Sequence, residues 1–242
     1  MEPPHAGGRG NGRAGARAWH HRLVRRLYPD PAESVTAREA YAVERPRPAT
    51  RPWVGVCMVA SLDGSTVVDG RSSGLSSAAD SDVLHTLREL ADVILVGAGT
   101  VRAEGYGPPK RVGQRIGVVT RTGRVDVTAP LFTSGAGFLI LPEDGPDVEV
   151  EAVRAGRVTL DLSAALAQID ADFIQCEGGA HLNASLAEVD LIDELNLTVS
   201  PVLSGGDGPR LMNGAVPTAH RMRLVHLLED DDFLFTRYVR AR

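Results

Sequence analysis

Three short segments of the chain place glycine, hydroxyl, basic or imidazole side chains directly after an apolar run. Gly97-Ala98-Gly99-Thr100 follows DVILV, Glu177-Gly178-Gly179-Ala180-His181 follows DFIQC, and Thr120-Arg121 follows IGVV. Glycine lets backbone N–H groups come close to a phosphate, and a helix starting there favours negative charge at its N-terminus. A hydroxyl beside a guanidinium suits a phosphate monoester. One such turn is commonplace, because tight turns need glycine anyway. Three of them on one sheet point to a dinucleotide. The spacing departs from both common nucleotide fingerprints. A third glycine after Gly97 and Gly99 would stand at 102, which is Arg, and no Gly-Lys-Ser/Thr occurs in a chain whose one lysine is Lys110.

Other reactive side chains read more plainly. Cys57 and Cys176 lie inside apolar runs, as small core residues do. The seven His show no metal spacing, so no metal is expected, and Asp230 to Asp232 reads as a hairpin turn. Arg88, on the helical segment LHTLREL, is either an exposed charge paired with a carboxylate or a phosphate ligand. Ser72, Ser73, Ser76 and Ser77 before that helix either cap it or help Arg88, and the pattern favours capping. Asp63 before Gly64 is equally a turn residue or a functional carboxylate.

These groups need a scaffold. WVGVCMVA (53–60), DVILVG (92–97), Gly117 to Thr120, Phe138 to Leu141 and DFIQCE (172–177) are apolar runs suited to buried strands. Helical spacing falls between them: Val83, Leu84, Leu87 and Leu90, with Asp80 and Asp82 near the favourable N-terminus, then 99–103, 162–169 and 180–187. Leu191 to Val202 is a strand candidate, and Met222 to Leu228 with Phe233 to Val239 predicts a closing antiparallel hairpin. Alternating strands and helices predict one α/β domain, a mostly parallel mixed sheet with helices on both faces, over 52–242. Residues 1–51 are an N-terminal extension. Its first 18 residues are expected to be disordered, 34–44 to form a short helix, and RPRPATRP to be an extended connector ending at Pro52, where the folded body begins.

Composition narrows the class. The 26 basic and 31 acidic residues are split so that 1–51 carries +5 and 52–242 carries −10. An acidic body argues against nucleic acid as a partner. No apolar run approaches the ~20 residues that span a bilayer, so no membrane is expected. Two cysteines exclude a disulfide scaffold, and a reducing cytoplasm is the simplest compartment.

MVASLDG (58–64), LRELADVILVGAGTVRAEGY (87–106), QCEGGAHL (175–182) and DELNLTVSPVLSGG (193–206) resemble, in order, the reductase domain of riboflavin biosynthesis. That domain has a dihydrofolate-reductase-like fold and often forms the C-terminal half of a bifunctional deaminase–reductase. The resemblance implies NADPH-dependent reduction of the ribosyl group of 5-amino-6-(5-phosphoribosylamino)uracil, by hydride transfer to C1′ of the opened sugar. By resemblance, Val59 and Ala60 meet the nicotinamide through their backbone, and Thr100 and Glu104 contact the cofactor. Gly97 and Gly99 belong to that cofactor half. Gly178, Gly179, Ala180, His181 and Leu182 form the diphosphate loop, and Thr120 and Arg121 read a 2′-phosphate. Ser72 and Arg88 take substrate-phosphate positions, and Glu177 and Arg111 are substrate contacts. Asp63 and Glu104 are the candidates for orienting water or substrate in catalysis. The resemblance also implies a homodimer.

The chain departs from the family's pattern where substrate and nicotinamide lie. Gly74 stands where many members have Trp, Glu104-Gly105-Tyr106 replaces an acidic Asp-Asp-Pro, and Pro108-Pro109-Lys110-Arg111 alters a Leu-x-x-Arg. A dihydrofolate or pterin reductase of the same fold, and a non-catalytic NADP-binding protein, are therefore the alternatives. The zinc motifs of a deaminase are missing, so no deaminase activity is expected.

Overall fold

The apolar runs WVGVCMVA, FIQC and VILVG lie side by side at the centre of one sheet. The computed structural model describes residues 22–214 and 216–241; the segment 1–18, expected to be disordered, lies outside the described residues. In chain order the elements are β1 (Leu23–Tyr28), β2 (Ala32–Thr36), α1 (Ala37–Tyr41), β3 (Trp53–Ala60), α2 (Ala78–Leu90), β4 (Val93–Gly97), α3 (Ala98–Glu104), β5 (Arg115–Val119), α4 (Pro130–Thr133), β6 (Gly137–Leu141), β7 (Ala152–Arg154), α5 (Leu162–Ala167), β8 (Phe173–Cys176), α6 (Ala180–Glu188), β9 (Glu194–Val199), β10 (Met222–Asp230) and β11 (Phe233–Arg240). The eleven strands are ordered β2-β1-β10-β11-β9-β3-β8-β4-β5-β6-β7. From β9 to β7 neighbours run parallel, and from β9 to β2 they run antiparallel. This is the mixed α/β sheet with a closing hairpin that the strand–helix alternation predicts.

Strand alternation sorts the core into layers. Val93 and Leu95 face α5 and α6 on one side, while Ile94 and Val96 face α4 on the other. Across β3 and β11, Cys57 and Phe235 pack under α1 and α2 with Tyr41, Val83 and Leu87. Each aliphatic side chain buried this fully contributes about 1.5–3 kcal/mol. The helices start where the sequence supplies a cap. The Thr36 side chain accepts from the Glu39 amide and the Glu39 carboxylate accepts from the Thr36 amide, while Ser77 and Asp161 cap α2 and α5.

The folded body does not begin at Pro52. β1 pairs with β10 and β2 with β1, so residues 23–36 extend the antiparallel half of the sheet. Only Val24 and Val35 of this pair are fully buried, and the Arg residues beside them face solvent. The RPRPATRP connector, expected to be extended, turns at residues 49–51, and two of its arginines reach inward to buried carboxylates: Arg45 to Glu194 and Arg51 to Asp193.

Candidate active site

The strand ends that carry the glycine segments are neighbours. β3, β8, β4 and β5 are consecutive in the sheet, so Val59-Ala60, Glu177–Gly179, Gly97–Thr100 and Thr120-Arg121 stand in a row along its carboxyl edge. Three interstrand steps span about 14 Å. β8 pairs with β3 only as far as Val56↔Cys176, so on that side Met58 to Ala60 have no ladder partner. On the other side the Gly97 amide donates to the Gly178 carbonyl at 2.7 Å. A notch results between β3 and β8.

The two glycine turns close on each other. A Cβ at Gly179 would lie 2.9 Å from the Thr100 hydroxyl, and one at Gly178, whose φ is +77°, would lie 2.8 Å from the Met58 sulfur. Neither α3 nor α6 has a side-chain cap at its N-terminus, where Gly97 and Gly179 are the cap residues. The first-turn amides of both helices therefore have no intrahelical partner, and Thr100 and Gly179 bring the two helix starts together. That cradle fits an anionic diphosphate. The Leu182 side chain sits in the core, so that residue can offer only its backbone, and the His181 side chain is exposed. The buried Thr120 hydroxyl accepts from the Gly123 amide at 3.1 Å, and Arg121 beside it is exposed.

Beside the cradle, Arg88, Glu177 and Tyr106 form a single unit. Arg88 Nε and Nη2 each donate to Glu177 at 2.6 Å, and the Tyr106 hydroxyl donates to Glu177 Oε2 at 2.5 Å. Glu177 is buried, and Arg88 lies over the Tyr106 ring at 5.5 Å. Burial works against the Arg88 charge, but Glu177 outweighs it and the guanidinium pKa rises. Burial first, and the Glu177 charge second, push the Tyr106 phenol well above its ordinary value. Nothing in the spacing of residues 88, 106 and 177 signals that they meet; Tyr106 is a site residue that sequence reasoning missed.

Other expectations need correction. Asp63 accepts from the Ser61 hydroxyl at 2.6 Å and from the Ser204 and Gly205 amides at 3.1 and 2.8 Å. These bonds, the Ser61 hydroxyl foremost, hold its carboxyl well below the usual range. It is a tether between two loops. Glu104 is exposed and accepts from both the amide and the hydroxyl of Ser72, at 3.1 and 3.0 Å. It fixes the turn before α2. Arg111 donates to the Ala91 carbonyl and lies 3.9 Å from Asp92, before β4, so it joins the opposite edge of the sheet. The thiols are inert: burial raises Cys57 well above its ordinary value and pushes Cys176 up to about 12.

Comparison with known proteins follows the same lines. The model of the RibD C-terminal domain matches residues 52–234. A 2,5-diamino-6-ribosylamino-4(3H)-pyrimidinone 5′-phosphate reductase from Archaeoglobus fulgidus is 30% identical over 196 residues, covering 68% of this chain and 87% of the relative. The enzyme of the same name from Methanothermobacter thermautotrophicus is 27% identical over 186 residues, covering 68% and 85%. Among solved structures, a pyrimidine reductase-like protein from Corynebacterium diphtheriae superposes with a TM-score of 0.74 at 22% identity, over 86% of this chain and 100% of that one.

Proposed function

The chain belongs to the RibD C-terminal domain family of riboflavin-pathway reductases, and from that premise we propose that it is an NADPH-dependent reductase of a 5-amino-6-(phosphoribosylamino)pyrimidine. The observation that carries this reading is the row of four adjacent strand ends. Amides of 97–100 and 179–182 would hold the diphosphate, Thr120 and Arg121 the 2′-phosphate, and the open backbone of Val59 and Ala60 the nicotinamide edge. When bound, NADPH supplies a hydride from the nicotinamide C4. The protein's own part is positioning. Arg88 and Tyr106 fix Glu177 beside the notch, where its carboxylate orients the substrate, and the Ser72 turn, braced by Glu104, contributes to the phosphate end.

A homodimer belongs to the same reading. On the face of β9, β10 and β11 opposite α2, the side chains of Leu195, Leu197, Val199, Leu227 and Leu234 form a half-exposed apolar patch. Cross-strand pairing brings Val199 opposite Leu234 and Leu227 opposite Thr236. A patch of this kind suits a two-fold contact; sedimentation at micromolar concentration should give twice the 25.7 kDa chain mass. The two free buried thiols fit a reducing cytoplasm.

Calorimetric titration tests the cofactor half: NADPH should bind more tightly than NADH. Gly179→Ala, which puts a methyl 2.9 Å from the Thr100 hydroxyl, should weaken NADPH binding by about tenfold, or ~1.4 kcal/mol, at an unchanged melting temperature. NADPH oxidation is then followed with the ribosylaminopyrimidinone phosphate, its uracil counterpart and dihydrofolate. Absence of NADPH binding would overturn the reading, and turnover of dihydrofolate alone would replace it by the folate alternative.

A further inference from the structure

β4 and β5 pair in parallel with Gly97 opposite Val119, so the chain leaves β5 at Thr120 beside the point where α3 begins. The loop that follows is closely fixed. The Thr120 hydroxyl accepts from the Gly123 amide, and the Val125 amide donates to the Gly123 carbonyl at 2.7 Å. A Cβ at Gly123, whose φ is +64°, would lie 2.8 Å from Pro146, so only glycine fits the turn. The turn presents the Arg124 carbonyl to α3, where Arg102 Nη1 donates to it at 2.7 Å. The same guanidinium lies back over the first turn of its own helix, since a Cβ at Gly99 would be 3.9 Å from Arg102 Nη2. Arg102 therefore bridges α3 and the loop that carries Arg121. All three arginines of this rim, Arg102, Arg121 and Arg124, are exposed, and no ion pair between described residues includes any of them. Carboxylates on the adjoining stretches are engaged elsewhere: Glu104 by Ser72, and Asp126 by the hydroxyl and amide of Thr128 at 2.6 and 2.9 Å.

A body of charge −10 that leaves three guanidiniums together without carboxylates offers an anion a local field of the opposite sign. Building on the reductase reading above, we propose that Arg102 is the principal selectivity residue for the phosphorylated dinucleotide, clamping the ribose 2′-phosphate against Arg121. The two arginines are not equivalent. Arg121 is exposed, and its long side chain must be ordered when the ligand arrives. Arg102 is held beforehand by the Arg124 carbonyl, so less conformational freedom is lost on binding. A guanidinium carries five N–H donors in a planar fork, and one bond to Arg124 leaves donors for two phosphate oxygens. A bare ribose 2′-hydroxyl brings no charge to that fork, so an unphosphorylated dinucleotide gains little from Arg102. The deduced order puts Arg102 ahead of Arg121, although only Arg121 adjoins the hydroxyl at the strand end.

The test is calorimetric titration of the full chain with adenosine 2′,5′-bisphosphate, adenosine 5′-monophosphate, NADPH and NADH. Arg102→Gln should weaken the bisphosphate and NADPH by about tenfold to a hundredfold, the effect of losing hydrogen bonds to a charged group, and leave the monophosphate and NADH within about twofold. Arg102→Lys keeps the charge but cannot hold the Arg124 carbonyl and the phosphate together, so it should recover only part of the loss. Arg121→Gln should lose less than Arg102→Gln. Arg124→Ala removes the third charge and keeps the anchoring carbonyl, so its loss should stay within a few-fold. Because Arg102 is exposed, the melting temperature should not move. An undiminished preference for the bisphosphate in Arg102→Gln, or a larger loss in Arg121→Gln, overturns the proposal. A loss in Arg124→Ala as large as in Arg102→Gln also overturns it, because the effect then follows net charge. If neither dinucleotide binds the wild type, the reductase reading falls and the proposal with it. If NADPH binds and keeps its advantage over NADH in Arg102→Gln, the proposal alone falls.

Discussion

Replacing Arg88 by methionine is expected to lower kcat/KM for the phosphoribosylated pyrimidine by about a hundredfold, or ~2.7 kcal/mol, while NADPH affinity changes by no more than a few-fold. The reason lies in what the substitution leaves behind. The Glu177 side chain is only 4% exposed, and both of its oxygens are held by Arg88. Methionine keeps the apolar stem against Tyr106 but removes the charge. A buried carboxylate without its cation is left uncompensated, and its fixed geometry is lost. Breaking a fully buried pair costs about 3–5 kcal/mol. Here the Arg88 side chain is 32% exposed, so the stability loss falls below that range. For a chain of this length each kcal/mol moves Tm by about 2–4 °C.

The double variant Arg88→Met, Glu177→Gln separates the two effects. It removes both charges, so it should recover most of the lost Tm without recovering activity. Steady-state kinetics with each substrate varied in turn is the check. Equal increases in KM for NADPH and for the pyrimidine would contradict the placement of Arg88 on the substrate side of the notch.

The parallel half of the sheet was legible for a physical reason. Strands covered on both faces need apolar side chains in both directions, so WVGVCMVA and VILVG read as unbroken runs, and each ends in the glycine or small residue that its turn requires. β1 was not legible. LVRRLY buries one valine fully, and its arginines look like part of a charged tail unless β10 is already in place to pair with them. β7 has three residues at the sheet edge and no periodicity to detect. β9 was found, but its polarity was not foreseen: Glu194, Asn196 and Thr198 point inward while the leucines between them are half-exposed. That inversion holds only because Arg45, Arg237 and Asp80 arrive from distant segments. The site divides in the same way. Glycine turns announce themselves locally, whereas Arg88, Tyr106 and Glu177 meet across 71 and 89 positions, a separation no local pattern records.

The inverted face of β9 leads to the largest expected change in stability. Glu194 is fully buried and accepts from Arg45 at 2.9 and 3.1 Å, from Arg237 at 2.9 Å and from the Asn196 amide at 3.0 Å. Glu194→Gln leaves two guanidiniums, each 6% exposed, without their anion. The expected loss is about 3–5 kcal/mol, on the order of 10 °C in Tm. The pH dependence identifies the cause. Burial pushes the Glu194 carboxyl up, but Arg237 and Arg45 outweigh it and hold it at about 2, below the ordinary 4.5. A depressed carboxylate contributes stability that is present above pH 4.5 and is lost as pH falls toward 2. His226, on β10 opposite Arg237, adds an earlier step. Burial first, and the Arg237 charge second, lower it from 6.5 to about 4, so it folds neutral. The unfolded chain binds that proton sooner, and stability falls as pH drops from 6.5 toward 4. Melting curves across this range should therefore show two successive acid losses. His226→Phe, which keeps an aromatic ring against Tyr41, should remove the first and keep the second. Glu194→Gln should remove the second and extend the first to lower pH, because Glu194 supports the charged form of His226. A Glu194→Gln, His226→Phe protein that still lost stability steeply below pH 4.5 would show that the acid limb arises elsewhere.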